Sequence, residues 1–294
     1  MDHIILQKDI DTLHDWATRN NMKFHPSKCC VLPVTRQRLP LIGQRYVYKL
    51  NGVTLEYHNI EKDLGVHVTT KLSWTEHCNK LCSIAASRLG LSMRTCHFLL
   101  NEKQKRVLYI ALVRSQFEHC SIVWRPYNET SKTKIENIQK RALKWILNET
   151  NASYTKYMYV LKCKQLNILP LNSHFQLTDI LTFHQIFYNL SPIKFPHYLH
   201  PYSGSTRLRS SHLDYLSIVS DITPKTFTQN PDRIGDYQTF DHCYFYRTHT
   251  AWNNLPIKLR EIIAPQQFKV RLKKYIWNEI WVQLLSEAYQ EFVH

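Results

Sequence analysis

The chain has 294 residues and a formal net charge of +15, with 44% apolar and 12% aromatic residues. This composition supplies a core and excludes wholesale disorder, and no window holds the roughly 18 uninterrupted apolar residues that a membrane span needs. The charge excess leans toward residues 1–150 and favours a phosphate-rich partner, which gains affinity through counterion release.

The first residues lack the layout of a signal peptide. The eight cysteines are therefore expected to be free thiols in a reducing compartment, nucleus or cytoplasm, in a protein that is not secreted.

Residues 4–19 read as a helix, with Ile5, Leu6, Ile10, Leu13, Trp16 and Ala17 at helical spacing. Asn20-Asn21 stops it. A short apolar run, Cys30-Val31-Leu32-Pro33-Val34, reads as an edge strand because proline cannot donate to a ladder. Residues 41–58 read as a hairpin around Asn51-Gly52, since both turn residues need positive φ. Leu64, Val66 and Val68 alternate with Gly65 and His67, which predicts a strand over 64–68. Ser73-Trp74-Thr75-Glu76 has the form of a capping box and opens a helix.

Three basic amphipathic helices follow. The first spans about 74–89, with Trp74, Cys78, Leu81, Cys82 and Ala85 on one face, and Gly90 ends or breaks it. The second starts near Asn101, capped with Gln104, with Val107, Leu108, Ala111, Leu112 and Ser115 inward. The third spans about 131–147, with Ile135, Ile138, Ala142, Leu143 and Ile146 inward and Lys132, Lys134, Lys140, Arg141 and Lys144 on the other face. Residues 158–190 read as helical. Residues 202–236 are rich in Ser, Thr, Asn and Asp and read as a loop or flexible insert. Residues 265–292 close the chain with another helix.

Several blocks resemble one family. Leu6-Gln7-Lys8-Asp9-Ile10-Asp11-Thr12-Leu13 with Trp16, and Met22-Lys23-Phe24-His25-Pro26-Ser27-Lys28-Cys29, resemble the segment that follows the catalytic strand pair in reverse transcriptases of non-LTR (LINE-type, jockey-like) retrotransposons. Lys62-Asp63-Leu64-Gly65-Val66 with Leu72-Ser73-Trp74 and His77 continues the likeness. So do Leu108-Tyr109-Ile110-Ala111-Leu112-Val113 with Val123-Trp124, and Ile135-Glu136-Asn137-Ile138-Gln139-Lys140-Arg141-Ala142. Tyr246-Arg247-Thr248, Trp252-Asn253-Asn254-Leu255-Pro256 and Phe268-Lys269 resemble the tail of the same proteins. The blocks fall in the family's order along almost the whole chain.

The resemblance implies that residues 1–70 are the end of a polymerase palm, with Leu64, Gly65 and Val66 in a primer-grip-like strand. It implies a helical thumb-like bundle over 71–150 and a C-terminal region over 151–294. Lys28, or alternatively Lys23, falls near the palm lysine that protonates leaving pyrophosphate in such enzymes. The family's Ala-Asp-Asp hairpin, which holds two metal ions, has no counterpart, because no Asp-Asp pair occurs in the sequence. The expectation is a truncated RNA-directed DNA polymerase without catalytic residues, inactive alone and able to depend on a missing N-terminal polymerase half. No cofactor is expected, Mg²⁺ belonging only to the complete family enzyme.

Two rival chemistries were weighed. His77-Cys78 with Cys82, Cys96-His97 and His119-Cys120 offer nominal zinc ligands, but their spacing fits no structural zinc pattern. The same Cys–His neighbours carry no nucleophile signature. No metal site is expected. Lys28, Lys62, Lys80, Lys103, Arg106, Arg114, Lys134, Lys140, Arg141 and Lys144 are the expected contacts to RNA, DNA or a hybrid duplex, through the backbone and with little sequence preference. The different-class alternative is a helical protein-interaction scaffold. In either reading the fold is α+β and mainly α, with a small antiparallel sheet ahead of the helical bundle, and no membrane role.

Overall fold

Asn51-Gly52 forms a two-residue hairpin turn, with φ of 51° and 75°, between β2 (Lys49–Leu50) and β3 (Val53–Thr54). Positive φ at both positions matches the twist of the flanking strands. A computed structural model of the chain describes residues 2–34, 46–96, 101–149, 153–196, 199–201, 216–218 and 243–293. The architecture is α+β and mainly helical. Among the described residues, no helix is long and apolar enough to cross a membrane.

Chain packing divides the molecule into two units, one whose continuous part is Met1–His77 and one that starts at Cys78. In the first unit, α1 (Asp2–Arg19) is tied to β2 by Gln7, whose amide accepts from Lys49 N–H and donates to Lys49 C=O, both at 2.9 Å. The strands form separate two-stranded pairs. β1 (Cys30–Val31) runs parallel to β4 (Glu56–Tyr57), and β5 (Ile60–Asp63) pairs antiparallel with β6 (Val66–Thr69). Leu50, Leu55, Val66 and Trp74 are buried. The apolar stripe of α1 is different. Ile5, Leu6, Leu13 and Trp16 are about half exposed, and Ala17 alone of that stripe is fully buried.

The strand expected over 64–68 is corrected here. Leu64 and Gly65 are the turn of the β5–β6 hairpin, with φ of 45° and 91°. Only Val66 of the three primer-grip-like candidates lies in a strand. Asp63 pairs across to Val66, which leaves two residues to reverse the chain, and such turns require left-handed backbone at both. The hairpin neighbours β5, so it does not extend the β2–β3 pair.

The second unit is helical. α2 (Thr75–Thr95) runs straight through Gly90 and does not end there. α3 (Glu102–Leu108) starts at the expected capping box. Asn101 Oδ1 accepts from Gln104 N–H and Gln104 Oε1 from Asn101 N–H, both at 3.0 Å. The chain continues as a π-helical stretch, Tyr109–Arg114, and then α4 (Ser115–Glu118). The wide turn resets the register. Lys105, Tyr109, Val113 and Phe117 face inward, whereas the expected inward residues Val107, Ala111 and Leu112 are exposed.

α5 (Ser121–Trp124), α6 (Glu129–Ile146), α7 (Lys156–Gln165) and α8 (Leu171–Phe187) follow. β7 (Leu199–Pro201) pairs with β8 (Leu216–Ile218), so part of the expected loop is a strand; residues 202–215 and 219–236 of that stretch lie outside the described residues. α9 (Tyr244–Asn253), α10 (Ile257–Arg260) and α11 (Pro265–Val293) end the fold.

The core of this unit runs from α8 through α11. Leu177, Ile180 and Phe183 meet Trp252, Leu255, Phe268 and Leu272. α6 and α5 pack on α8 as well. The thumb-like and C-terminal regions expected to divide at 150 therefore share one packed unit. Asp179, Gln139 and Arg114 hold them together through buried polar contacts that sequence periodicity does not report.

Candidate nucleic-acid interface

α6 carries four of the ten expected basic contacts, and its geometry is set from the inside. Asn128 caps it, Oδ1 accepting from Ser131 N–H at 2.7 Å. Ile135, Ile138, Ala142, Leu143 and Ile146 are buried as the spacing predicts.

Gln139 is also buried. Its Oε1 accepts from Tyr109 Oη at 2.8 Å and Arg114 Nη1 at 2.9 Å, and its Nε2 donates to Tyr159 Oη at 2.8 Å and Leu169 C=O at 3.1 Å. Tyr159 in turn donates to Glu136, whose carboxylate also accepts the backbone N–H groups of Leu171 and Asn172. Every polar group of Gln139 is satisfied, so the network fixes the rotation of α6 about its axis. Burial, with the charge of Glu136, pushes Tyr159 well above its ordinary range and Cys163 up to about 12, so both stay neutral.

That rotation turns Lys134, Asn137, Lys140, Arg141 and Lys144 outward. At 100° per residue they fall on one stripe centred on Asn137. Lys134 and Arg141 are exposed, while Lys140 and Lys144 are half-buried. Lys140 Nζ lies 5.4 Å from the centre of the Tyr159 ring and Lys144 Nζ 5.3 Å from that of Tyr154. These rings hold the lysine stems without neutralising them. Lys134 Nζ donates to Asn79 Oδ1 at 2.9 Å. Glu129 and Glu136 lie at the flank of the stripe, and Glu136 is engaged by Tyr159 and two backbone amides.

The other expected contacts separate. Lys62 is exposed on β5, Lys28 is exposed just before β1, and Lys103 is exposed in the first turn of α3. Lys80 is half-buried on α2. Arg106 Nε donates to Leu166 C=O at 2.7 Å, which makes it partly a fold contact.

Arg114 is a correction. It is 4% exposed. Its Nε donates to Glu118 at 3.1 Å and its Nη1 to Gln139 and to Leu169 C=O at 2.9 and 3.0 Å. The π-helical stretch before it turns the side chain inward, so it belongs to the core network and not to a phosphate surface. Trp145 and Tyr109 are both buried, so neither ring is a surface for stacking bases.

The sequence reading passed over Lys269 and Lys273 of α11. Lys273 Nζ donates to Asn167 Oδ1 at 2.9 Å. Burial, then the charges of Arg106, Arg114 and Lys269, hold its pKa below the usual lysine range. Clustered cations of this kind favour a bound anion. The signal was available as a Lys-Lys pair on the closing helix, but Arg106 of α3 and Arg114 of the π-helical stretch reach it only through the fold and cannot be read from spacing.

Among the described residues, the candidate zinc ligands His77, Cys78, Cys82, Cys96, His119 and Cys120 form no group of three donors. Burial pushes the Cys78 and Cys82 thiols up to about 12 and about 11. His77 Nδ1 accepts from His67 N–H at 3.2 Å. Cys120 Sγ and His119 Nε2 are 3.5 Å apart on a left-handed turn, with Cys120 φ at 50°. His97 lies outside the described residues.

Comparisons with protein-family models, with curated proteins and with solved structures return no match to this chain.

Proposed function

We propose that this chain corresponds to the palm end, thumb and tail of a non-LTR retrotransposon reverse transcriptase and acts as a non-catalytic holder of RNA, DNA or a hybrid duplex. The observation that carries the reading is the outward stripe of α6. Lys134, Lys140, Arg141 and Lys144 stand side by side with no carboxylate at its centre, on a helix whose inner face is locked by Gln139. Such a face contacts phosphates and does not read bases. The ordered sequence blocks support the family assignment. The absence of an Asp-Asp pair supports binding and not nucleotide transfer, because that chemistry needs carboxylates to hold two metal ions.

A second reading, a helical protein-interaction scaffold, is favoured by one observation. Ile5, Leu6, Leu13 and Trp16 of α1 form a half-exposed apolar stripe. A further part of a polymerase palm would cover the same surface equally well, so the stripe does not separate the readings.

Filter binding to a single-stranded RNA and to a hybrid duplex at two salt concentrations does. Four phosphate contacts give a fall in affinity of roughly 50–150-fold when salt rises fourfold, from a slope of about 0.7–0.9 per contact. Absence of binding at low salt favours the scaffold. Primer extension with Mg²⁺ or Mn²⁺ is expected to give no product, and template-dependent product overturns the non-catalytic reading.

A further inference from the structure

The fold of the first unit brings Cys30 beside His58 and Glu61, which lie three residues apart and far from it in sequence. Cys30 lies in β1, His58 directly after β4, and Glu61 in β5. The parallel pairing sets Cys30 opposite Glu56, and the ladder runs one step further, His58 N–H donating to Val31 C=O at 3.0 Å. Backbone hydrogen bonds therefore place both residues. One ligand atom from each of Cys30, His58 and Glu61 lies within 4.8 Å of the others. His58 Nδ1 is 2.8 Å from Glu61 Oε2. The three line a cavity of about 400 Å³ together with Lys28, Cys29 and Glu56.

We propose that Cys30 Sγ, His58 Nδ1 and a Glu61 carboxylate oxygen bind one zinc-type divalent cation, with the fourth coordination position open to this cavity.

The donor set selects the ion. Thiolate with imidazole suits zinc, whereas magnesium and calcium take oxygen ligands throughout. Three protein ligands with one open position is an established zinc arrangement. The surroundings fit as well. Glu56 Oε2 is 3.7 Å from His58 Nε2, so the nitrogen left off the metal faces a carboxylate that fixes the tautomer. Bonds of about 2.0–2.3 Å draw the ligand atoms inward, and the side chains of His58 and Glu61, 40% and 42% exposed, have room to turn. Binding replaces the Cys30 proton, which leaves to solvent.

Without a cation His58 Nδ1 bonds to Glu61 Oε2 instead. The experiment separates the two states. Purified full-length chain, reduced, is titrated with Co²⁺ and then with Zn²⁺. A thiolate-to-cobalt charge-transfer band that saturates at one equivalent is expected, and zinc abolishes it by displacement. Cys30→Ser removes the band and weakens zinc binding by at least about 100-fold, since even an outer-shell change costs about 10–100-fold. Glu61→Gln keeps the thiolate band but weakens binding at least about 10-fold, which covers the case in which Cys30→Ser does not fold. Cys82→Ser leaves the titration unchanged. A folded chain with no charge-transfer band overturns the site, and so does a band that survives Cys30→Ser or disappears with Cys82→Ser.

Discussion

Arg247 on α9 grips Asp179 on α8 at two points, Nε to Oδ2 at 2.9 Å and Nη2 to Oδ1 at 3.1 Å. The same carboxylate accepts Arg125 Nη1 at 2.7 Å, so one buried acid ties the end of α5 to α8 and α9. Tyr244 Oη also donates to Asp179 C=O at 3.0 Å. Tyr246-Arg247-Thr248 is one of the blocks that carry the family resemblance. Its arginine is engaged in holding the fold, and Trp252 and Leu255 of the neighbouring block are core. In the proposed family likeness, the tail would therefore contribute residues that hold the fold.

Asp179→Asn keeps the shape and removes the charge, leaving two guanidinium groups facing a neutral amide. Breaking a buried pair from one side costs about 3–5 kcal/mol. Chemical denaturation monitored by circular dichroism is expected to show that loss. Nucleic-acid affinity per folded molecule is expected to stay unchanged, because Asp179 is far from the outward stripe in role. A loss below about 1 kcal/mol would mean that the arginines find other partners at no cost.

The outward and inward cations of the bundle are expected to behave oppositely. Changing Lys134, Lys140, Arg141 and Lys144 together to Gln lowers the salt slope of nucleic-acid binding by roughly three, the sum of four phosphate contacts. Stability stays within about 1 kcal/mol, as for exposed substitutions. Arg114→Gln leaves the slope alone and costs about 1–3 kcal/mol, because Gln139 and Leu169 C=O lose a buried donor. A reduced slope in Arg114→Gln would return that residue to the interface.

Much of this was legible in the chain and some was not, for physical reasons. Asn51-Gly52 specified its hairpin because the turn chemistry is local. The inward face of α6 followed from a 3.6-residue period that nothing interrupts. Leu64 misled because leucine carries no turn signal, and alternation of Leu64, Val66 and Val68 looks the same on either side of a turn. Arg114 misled because a π-helical stretch shifts the register by an amount that no spacing records. Cys30 was invisible as a neighbour of His58 and Glu61, which lie three residues apart, because a parallel strand pairing brings it to them from a distant position.

Leu64 offers a direct check on the turn. Left-handed backbone costs a leucine about 1–2 kcal/mol, and asparagine tolerates it. The side chain is 85% exposed, so little packing is lost. Leu64→Asn is therefore expected to stabilise the first unit by about 1 kcal/mol, read from urea denaturation followed by Trp16 fluorescence. Destabilisation would show that the leucine side chain contributes a contact worth more than the backbone relief.

Gly90 sits inside α2, where glycine is about 0.5–1 kcal/mol worse than alanine. An added Cβ meets only the Arg94 guanidinium, at 3.4 Å, which is the end of a flexible side chain. Gly90→Ala should raise the thermal midpoint of the second unit, by a ΔΔG of up to about 1 kcal/mol. A lowered midpoint would indicate that the helix needs the freedom of glycine there.

His184 makes the second unit sensitive to mild acid. Its Nε2 donates to Ile262 C=O at 2.7 Å, and its ring stacks on Phe268 at 4.1 Å. Among the described residues the buried Nδ1 has no hydrogen-bond partner, so a proton added there would be an unsatisfied buried donor. Burial accordingly holds the pKa below the ordinary 6.5, against the opposing bond to Ile262. His174 is shifted the same way, mainly by burial, with Glu118 opposing. A histidine with a lowered folded pKa binds fewer protons folded than unfolded. Its stability contribution is therefore intact above the unfolded value and lost as pH falls below it, at no more than about 1.4 kcal/mol per pH unit per group. Denaturation midpoints at pH 7.5 and 5.5 isolate this effect, because that window lies above the carboxylate range. The midpoint is expected to fall at pH 5.5, and His184→Gln, which keeps a donor toward Ile262, is expected to flatten the difference. Equal or greater stability at pH 5.5 would mean that the folded state accepts the histidine charge.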